Sequence, residues 1–381
     1  MPGTLPTRRP VLLAATLVAA AFLFAIALAV GAGDALGVNT VLHADPTIYR
    51  DRVDAIVAGG MPYVDAVLEH LPVMLLPLFA GWALGELTGM PPAVAYAAVT
   101  APLLVLTAAV VDAVARRVED PAASTRWLLV ATPLFPLVLF RLDAVPVLAA
   151  TTALWAVLAG RDRLALGATI VGIGAKGWPV VLEILDWWRG RRRRAVLVVV
   201  GTVVGLGLLS LLPGFRTGRS FDGIHVETMI GSLVLVARHL AGREPGLLGV
   251  AGATYVSVGR WAVGAEALLG ITAAVPLLVA LRRPCRRSAT PRLVALAVLA
   301  LLLASPLLSA QFLFWPTPFV AFFRRRRILL VAWLVATVTT VLLVYWYPAR
   351  PLWAVGLAIR NVMLVALVAT VARRVVSEDL A

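Results

Sequence analysis

Long apolar runs punctuated by arginine clusters constrain this chain more than any other feature. The longest runs lie at 11–30, 91–115, 195–213, 259–281, 292–309, 328–346 and 352–372. Shorter ones lie at 71–88, 127–140, 144–160 and 311–323. A helix that crosses a bilayer needs about 20 apolar residues, and a shorter one fits inside a thick bundle. The chain is 61% apolar and only 14% charged, whereas soluble domains sit near roughly 45–50% and about 25%. An ordinary soluble enzyme and a disordered chain are both excluded on that balance. The net charge of +14 would suit a nucleic-acid partner, but apolar runs separate the basic clusters. The expected class is an all-α polytopic membrane protein, a single domain over 1–381 with about 11–13 membrane helices.

The basic residues then report orientation. They cluster at Arg8/Arg9, Arg116/Arg117/Arg126, Arg161/Arg163, Arg189 with Arg191–Arg194, Arg282–Arg292, Arg324–Arg327 and Arg373/Arg374. All can be cytoplasmic by the positive-inside rule. Both termini are then cytoplasmic, and two large outer loops follow, 31–70 and 214–258. Segments 71–88 and 91–115 must together make one net crossing. The stretch 164–188 is interrupted by Lys176-Gly-Trp-Pro179, and proline disfavours helix at the residue before it, so two short helices meet there. The first apolar run is longer than a signal-peptide core and reads as a retained span. Cys285 has no second cysteine with which to pair.

This threading puts all four histidines in outer loops, with many carboxylates beside them. The first loop holds Asp34, Asp45, Asp51, Asp54, Asp65 and Glu69-His70, interleaved with Tyr49, Gly59-Gly60, Pro62 and Tyr63. Turn-forming residues at that spacing predict an ordered loop rather than a connector, although solvated loops are polar in any case. Three polar points interrupt apolar sequence elsewhere. Arg141-Leu-Asp143 lies between two short apolar segments; ionisable residues at membrane depth are costly and are paired or functional. The plain alternative is an Arg–Asp pair that ties helices together. Lys176 follows Gly172-Ile-Gly174-Ala, where small residues let a ligand approach and an ammonium suits a phosphate; its plain alternative is a snorkelling interfacial lysine. His225-Val-Glu227 precedes an amphipathic stretch, Met229–Leu240, and could bind sugar or only cap that helix. No phosphate-binding loop, HExxH, paired CxxC or GxSxG signature is present.

Taken in order, these elements resemble the C superfold of polyprenyl-phosphate-sugar-dependent glycosyltransferases, most of all glycosyltransferase family 87, a group of alpha-mannosyltransferase-like proteins. The resemblance rests on Asp45 and Tyr49, Gly59-Gly60-Met-Pro62-Tyr63-Val-Asp65, Glu69-His70-Leu-Pro72, Arg141-Leu-Asp143-Ala-Val-Pro146, Gly172 to Pro179, His225-Val-Glu227, and Ser305-Pro306 with Gln311 and Trp315. It spans roughly residues 10–345, and each element is weak alone. It implies a multi-pass cell-membrane enzyme of the cell envelope with its site on the outer face. The enzyme would transfer a hexose, with mannose the expected sugar, from a polyprenyl-phosphate donor to a glycolipid or glycan acceptor by one inverting displacement. Asp45 would be the general base, although Asp51 and Asp54 lie close enough to take that role. Lys176 and Arg141 would stabilise the departing phosphate. His225 and Glu227 would orient sugar hydroxyls or phosphate, and Tyr49, Tyr63 and Trp315 would stack on the sugar. Asp51, Glu69, His70, Asp143 and Gln311 complete the expected sugar and acceptor contacts. No cofactor is required; a divalent cation could sit among the outer carboxylates, but no spacing demands one. The partners are the lipid-linked donor, the acceptor and membrane lipids, with no nucleic acid. A secondary transporter or lipid flippase is the alternative, and a non-catalytic envelope scaffold is a third reading.

Overall fold

The computed structural model describes residues 9–27, 41–215, 223–244, 246–250, 253–259, 261–280, 289–305, 308–323, 331, 333–340 and 350–377. Its helices are α1 (Arg9–Ala27), α2 (Val41–Val57), α3 (Leu75–Thr88), α4 (Pro92–Arg117), α5 (Ala122–Ala131), α6 (Phe135–Leu139), α7 (Ala144–Leu158) and α8 (Asp162–Lys176). They continue with α9 (Glu183–Trp188), α10 (Arg192–Ser210), α11 (Met229–Leu240), α12 (Trp261–Ala280), α13 (Thr290–Ala304), α14 (Thr317–Val320) and α15 (Arg350–Ser377). Among the described residues five segments are long and apolar enough to cross a membrane: Pro92–Arg117, Ala122–Leu139, Arg192–Ser210, Trp261–Val279 and Trp353–Arg373. α10 leaves Val196, Leu197, Val200, Val203, Val204 and Leu208 exposed. An apolar face with that much exposure suits lipid and not water.

Both expected outer loops contain regular structure. The first holds α2, which carries Pro46 inside the helix. The second holds a three-stranded antiparallel sheet, with β1 (Gly223–His225), β2 (Leu247–Val250) and β3 (Ala253–Ser257) in the order β1-β3-β2. It also holds α11. An all-helical expectation therefore missed a small sheet; its strands are three to five residues long, too short for alternation to declare them. The apolar run 311–323 is not a continuous helix either. A 3₁₀ turn (Ala310–Phe314) gives way to the four-residue α14, with Pro316 and Pro318 removing two amide donors at the junction. The helix break is where the proline placed it: α8 ends at Lys176, Gly177 takes φ 64°, and a 3₁₀ turn (Trp178–Leu182) leads into α9. Cys285, Pro306 and the Arg324–Arg327 cluster lie outside the described residues.

Packing separates the helix bundle into two ends. At one end Tyr49, Met74, Tyr96, Leu142 and Ala175 form a small shared core. From there α7 runs to Leu158, and α8 returns from Asp162 to Lys176. The turn between them holds Arg161 and Asp162, and Asp162 receives Arg189 (3.2 Å) and Arg191 (2.5 Å). α4 likewise runs from Tyr96 to Arg116 and Arg117, about 30 Å at 1.5 Å per residue. Arg116 pairs with Asp112, and Arg126 with Asp120, near that far end. α10 starts at the arginine end and stops at Ser210; just beyond it Phe215 bridges Leu68 through its backbone and meets the Tyr63 ring edge-on. α3 does not make this journey. It starts beside the small core and turns at Gly89 (φ 70°), after which Tyr96 of α4 still packs on Gly81 and Tyr49. Only α4 of this hairpin therefore joins the two ends.

Candidate functional site

The small core carries a layer of paired charges. α2 places Asp45, Tyr49 and Arg52 on one face, at helical offsets of four and seven. Arg50, Asp51 and Asp54 fall on the other side. Asp51 is exposed, Arg50 bonds Glu86 at 2.7 Å, and Asp54 accepts from Trp82 Nε1 at 2.7 Å. Of the three carboxylates weighed as a base, only Asp45 therefore faces the cluster.

Arg141 and Asp143 do not pair with each other. They sit in the turn between α6 and α7, and each reaches a different partner. Arg141 pairs through Nη1 with Asp45 Oδ2. Asp143 accepts from Lys176 Nζ at 2.7 Å and from Trp315 Nε1 at 2.6 Å. The Asp143 side chain is 2% exposed, against 24% for Asp45. The Tyr49 hydroxyl donates to Asp45 Oδ2 at 3.4 Å. Burial, and then the charge of Asp143, push the Tyr49 phenol well above its ordinary value, so it stays a donor. A third pair, Arg52–Glu69 at 2.7 Å, lies alongside.

His70 sits edge-on to Tyr49, with ring centroids 5.2 Å apart. Its Nδ1 is shielded from solvent and has no hydrogen-bond partner. Burial, and then the positive charge of Lys176, lower its pKa to about 4. The imidazole is therefore neutral at physiological pH, with one nitrogen uncommitted.

The aromatic residues expected to stack on a sugar are already packed. Tyr63 lies against Phe215 (5.7 Å) and donates its hydroxyl to the His70 carbonyl at 3.0 Å. This fixes the loop that carries His70, and burial lifts the Tyr63 phenol to about 12. Trp315 stacks with Phe312 (4.2 Å) and Trp178 (5.3 Å). Lys176 Nζ lies 4.8 Å from the Phe312 ring centroid and 5.5 Å from that of Trp315. The Trp315 side chain thus acts as a wall and hydrogen-bond donor. Gln311 is buried, its Oε1 accepting from Ser309 Oγ at 2.5 Å. The glycines before Lys176 serve packing instead of ligand approach: a Cβ on Gly172 would meet Pro179 at 2.9 Å, and one on Gly174 would meet Val73 at 2.6 Å.

His225 and Glu227 form a separate cluster. The fully buried Arg360 of α15 reaches Glu227 Oε2 at 3.0 Å and also bonds the Glu227 carbonyl. Asn361 donates to the carbonyls of Glu227 and Thr228 and to Ser232 Oγ. His225 Nδ1 accepts from the Glu227 amide at 3.4 Å, and its ring packs edge-on to Tyr255. Glu266 of α12 accepts from the first amides of α11. These residues anchor α11 to α12 and α15, so a direct sugar contact by Glu227 would compete with Arg360.

Sequence reasoning missed Arg52, Tyr96, Trp178 and Phe312. Arg52 was legible only once α2 was known to be a helix, because its link to Asp45 is the seven-residue offset. The other three look like ordinary apolar-run residues. Among the described residues no three His, Cys, Asp or Glu side chains group closely enough to hold a metal ion. No protein-family model, no curated protein and no solved structure matches this chain.

Proposed function

We propose that this chain is a multi-pass membrane glycosyltransferase that moves a hexose, mannose in the first instance, from a polyprenyl-phosphate donor to a glycolipid or glycan acceptor. One observation carries the reading. Three chain stretches far apart in sequence (α2, the turn that holds Arg141 and Asp143, and the end of α8) converge at one end of the bundle to set Asp45–Arg141 beside Asp143–Lys176. The arginine-rich turns lie at the other end, so the positive-inside rule puts the charge cluster on the outer face. The resemblance to the C superfold of glycosyltransferases adds to this and supplies the substrate class.

The chemistry follows from the residues. The donor's lipid lies in the bilayer, and its phosphate reaches the cluster. The acceptor hydroxyl attacks the anomeric carbon, and the bond from that carbon to the phosphate oxygen breaks in the same step. Asp45 takes the hydroxyl proton as the new bond forms. Charge grows on the departing polyprenyl phosphate, and Arg141 and Lys176 stabilise it where little water competes. Asp143 and Trp315 hold the Lys176 ammonium in place. His70, neutral, supplies a hydrogen bond to a sugar or acceptor hydroxyl without adding charge.

The test uses purified protein, radiolabelled polyprenyl-phosphate mannose and extracted envelope lipids. Transfer should occur and should fall about 10²–10⁴-fold in Asp45→Asn, the usual loss for a removed general base. No transfer to any acceptor, with lipid movement across proteoliposomes instead, would replace the enzyme by a flippase.

A further inference from the structure

We infer that Asp45 occupies the donor-phosphate position on Arg141, and that arrival of the phosphate displaces it and so releases the base; this rests on the site reading above. The argument starts from charge balance. The cluster sets three cations, Arg52, Arg141 and Lys176, against three carboxylates, Glu69, Asp45 and Asp143, with an ion pair from each cation. An anionic phosphate entering a balanced cluster gains little unless one carboxylate gives way, because its own desolvation must be offset. The three carboxylates are not equally able to move. Asp143 is 2% exposed and held by two donors at 2.6–2.7 Å. Glu69 lies on the loop pinned by the Tyr63 hydroxyl and by backbone bonds between Tyr63, Leu68 and Gly214. Asp45 is 24% exposed, and among the described residues its carboxylate takes, beyond Arg141, only a long 3.4 Å bond from Tyr49. Asp45 is thus the carboxylate that yields.

A guanidinium suits this exchange, since its fork binds carboxylate and phosphate oxygens in the same geometry. Arg141 holds Asp45 as an ion pair, and a neighbouring positive charge makes a carboxylate a weaker base. With phosphate on Arg141, the carboxylate loses its counter-charge and becomes a better proton acceptor. No proton moves in the exchange itself; one ion pair is traded for another. Base strength and donor occupancy are coupled through a single side chain, and Lys176 with Asp143 stays fixed as the second anchor.

Binding tests the exchange without requiring transfer. The full chain in detergent is titrated with farnesyl phosphate, with inorganic phosphate as a control for the lipid. Asp45→Asn should bind farnesyl phosphate about tenfold tighter than the wild type, because the competitor is gone. Arg141→Gln should bind at least tenfold weaker. In the double variant Asp45→Asn with Arg141→Gln the tightening should disappear, because Arg141 transmits it. Glu86→Gln removes an equal charge from the exposed Arg50 pair and should change affinity less than twofold, separating exchange from general electrostatics. Melting temperatures of each variant exclude misfolding. Unchanged or weaker binding in Asp45→Asn would overturn the exchange, even if the wild type binds farnesyl phosphate and transfers sugar. Tightening that survives in the double variant would also overturn it. A protein that shows the cycle but transfers nothing would keep the exchange and sink the transferase.

Discussion

Lys176, the only lysine of the chain, shows how the environment sets a residue's role. Its ammonium is held by Asp143 and by two aromatic faces, a pocket shaped for a point charge and not for a planar fork. Lys176→Arg should therefore lower transfer at least tenfold despite keeping the charge. Lys176→Met leaves Asp143 buried with only Trp315 as donor. Breaking a fully buried pair costs about 3–5 kcal/mol; because Lys176 is partly exposed and Trp315 remains, the loss should be on the order of 2–3 kcal/mol. Thermal melting in detergent measures the second effect and the transfer assay the first. His70 gives a pH test. Its folded pKa of about 4 lies below the roughly 6.5 of an unfolded histidine. Between those values the unfolded chain binds the proton and the folded one does not, so this contribution to stability is present above about pH 6.5 and is lost as pH falls towards 4. His70→Asn should flatten that part of the melting-temperature profile. Equal slopes in both proteins would show that His70 is not held neutral.

At the scale of elements, α8 and its break do the positioning. Gly172 lets Pro179 and Ala149 lie directly on the last turn, so the chain folds back at Gly177 and leaves Lys176 at the tip. Proline is rigid, so a methyl at residue 172 cannot be absorbed by a rotamer change. Gly172→Ala should cost about 1–3 kcal/mol by overpacking and should also reduce transfer, because Lys176 moves with its turn. Gly167, on the same helix, has nothing within 4 Å of its missing Cβ. Gly167→Ala should leave melting unchanged or raise it, since alanine gains up to about 1 kcal/mol of helix propensity. If both variants melt alike, packing at Gly172 is not what holds the break. This contrast also shows what the sequence could convey. The break was readable from Gly-Trp-Pro179, a local signal. The purpose of Gly172 was not, because it depends on what a later turn packs against. The same limit applied to Arg141-Leu-Asp143: two opposite charges in one turn look like a pair, yet tertiary contacts send them to Asp45 and Lys176. α2 was hidden because its polar face is turned to solvent and its charges read as loop.

For the whole molecule, the arrangement of charge reduces to a claim about sides. The packing puts Arg116/Arg117, Arg161/Arg163 and Arg191–Arg194 at the end of α4, α7 and α10 away from Asp45. What composition could not decide was whether the 71–88 segment crosses with α4 or stops short. In the hairpin α3 begins and turns on the site side, and α4 alone covers the roughly 30 Å to Arg117. That distance matches the hydrocarbon thickness of a bilayer, about 30 Å. Val64, exposed in the loop before His70, and Arg117, exposed at the end of α4, should then face opposite compartments. In a Cys285→Ser background, Val64→Cys should react with an impermeant maleimide added outside intact cells. Arg117→Cys should react only after the membrane is opened. Labelling of both from outside would mean that α4 does not cross. Labelling of Arg117→Cys alone from outside would invert the protein and place the charge cluster in the cytoplasm. A donor presented on the outer face could not then reach Lys176 and Arg141, so this result would remove the proposed reaction whatever the chemistry of the pairs.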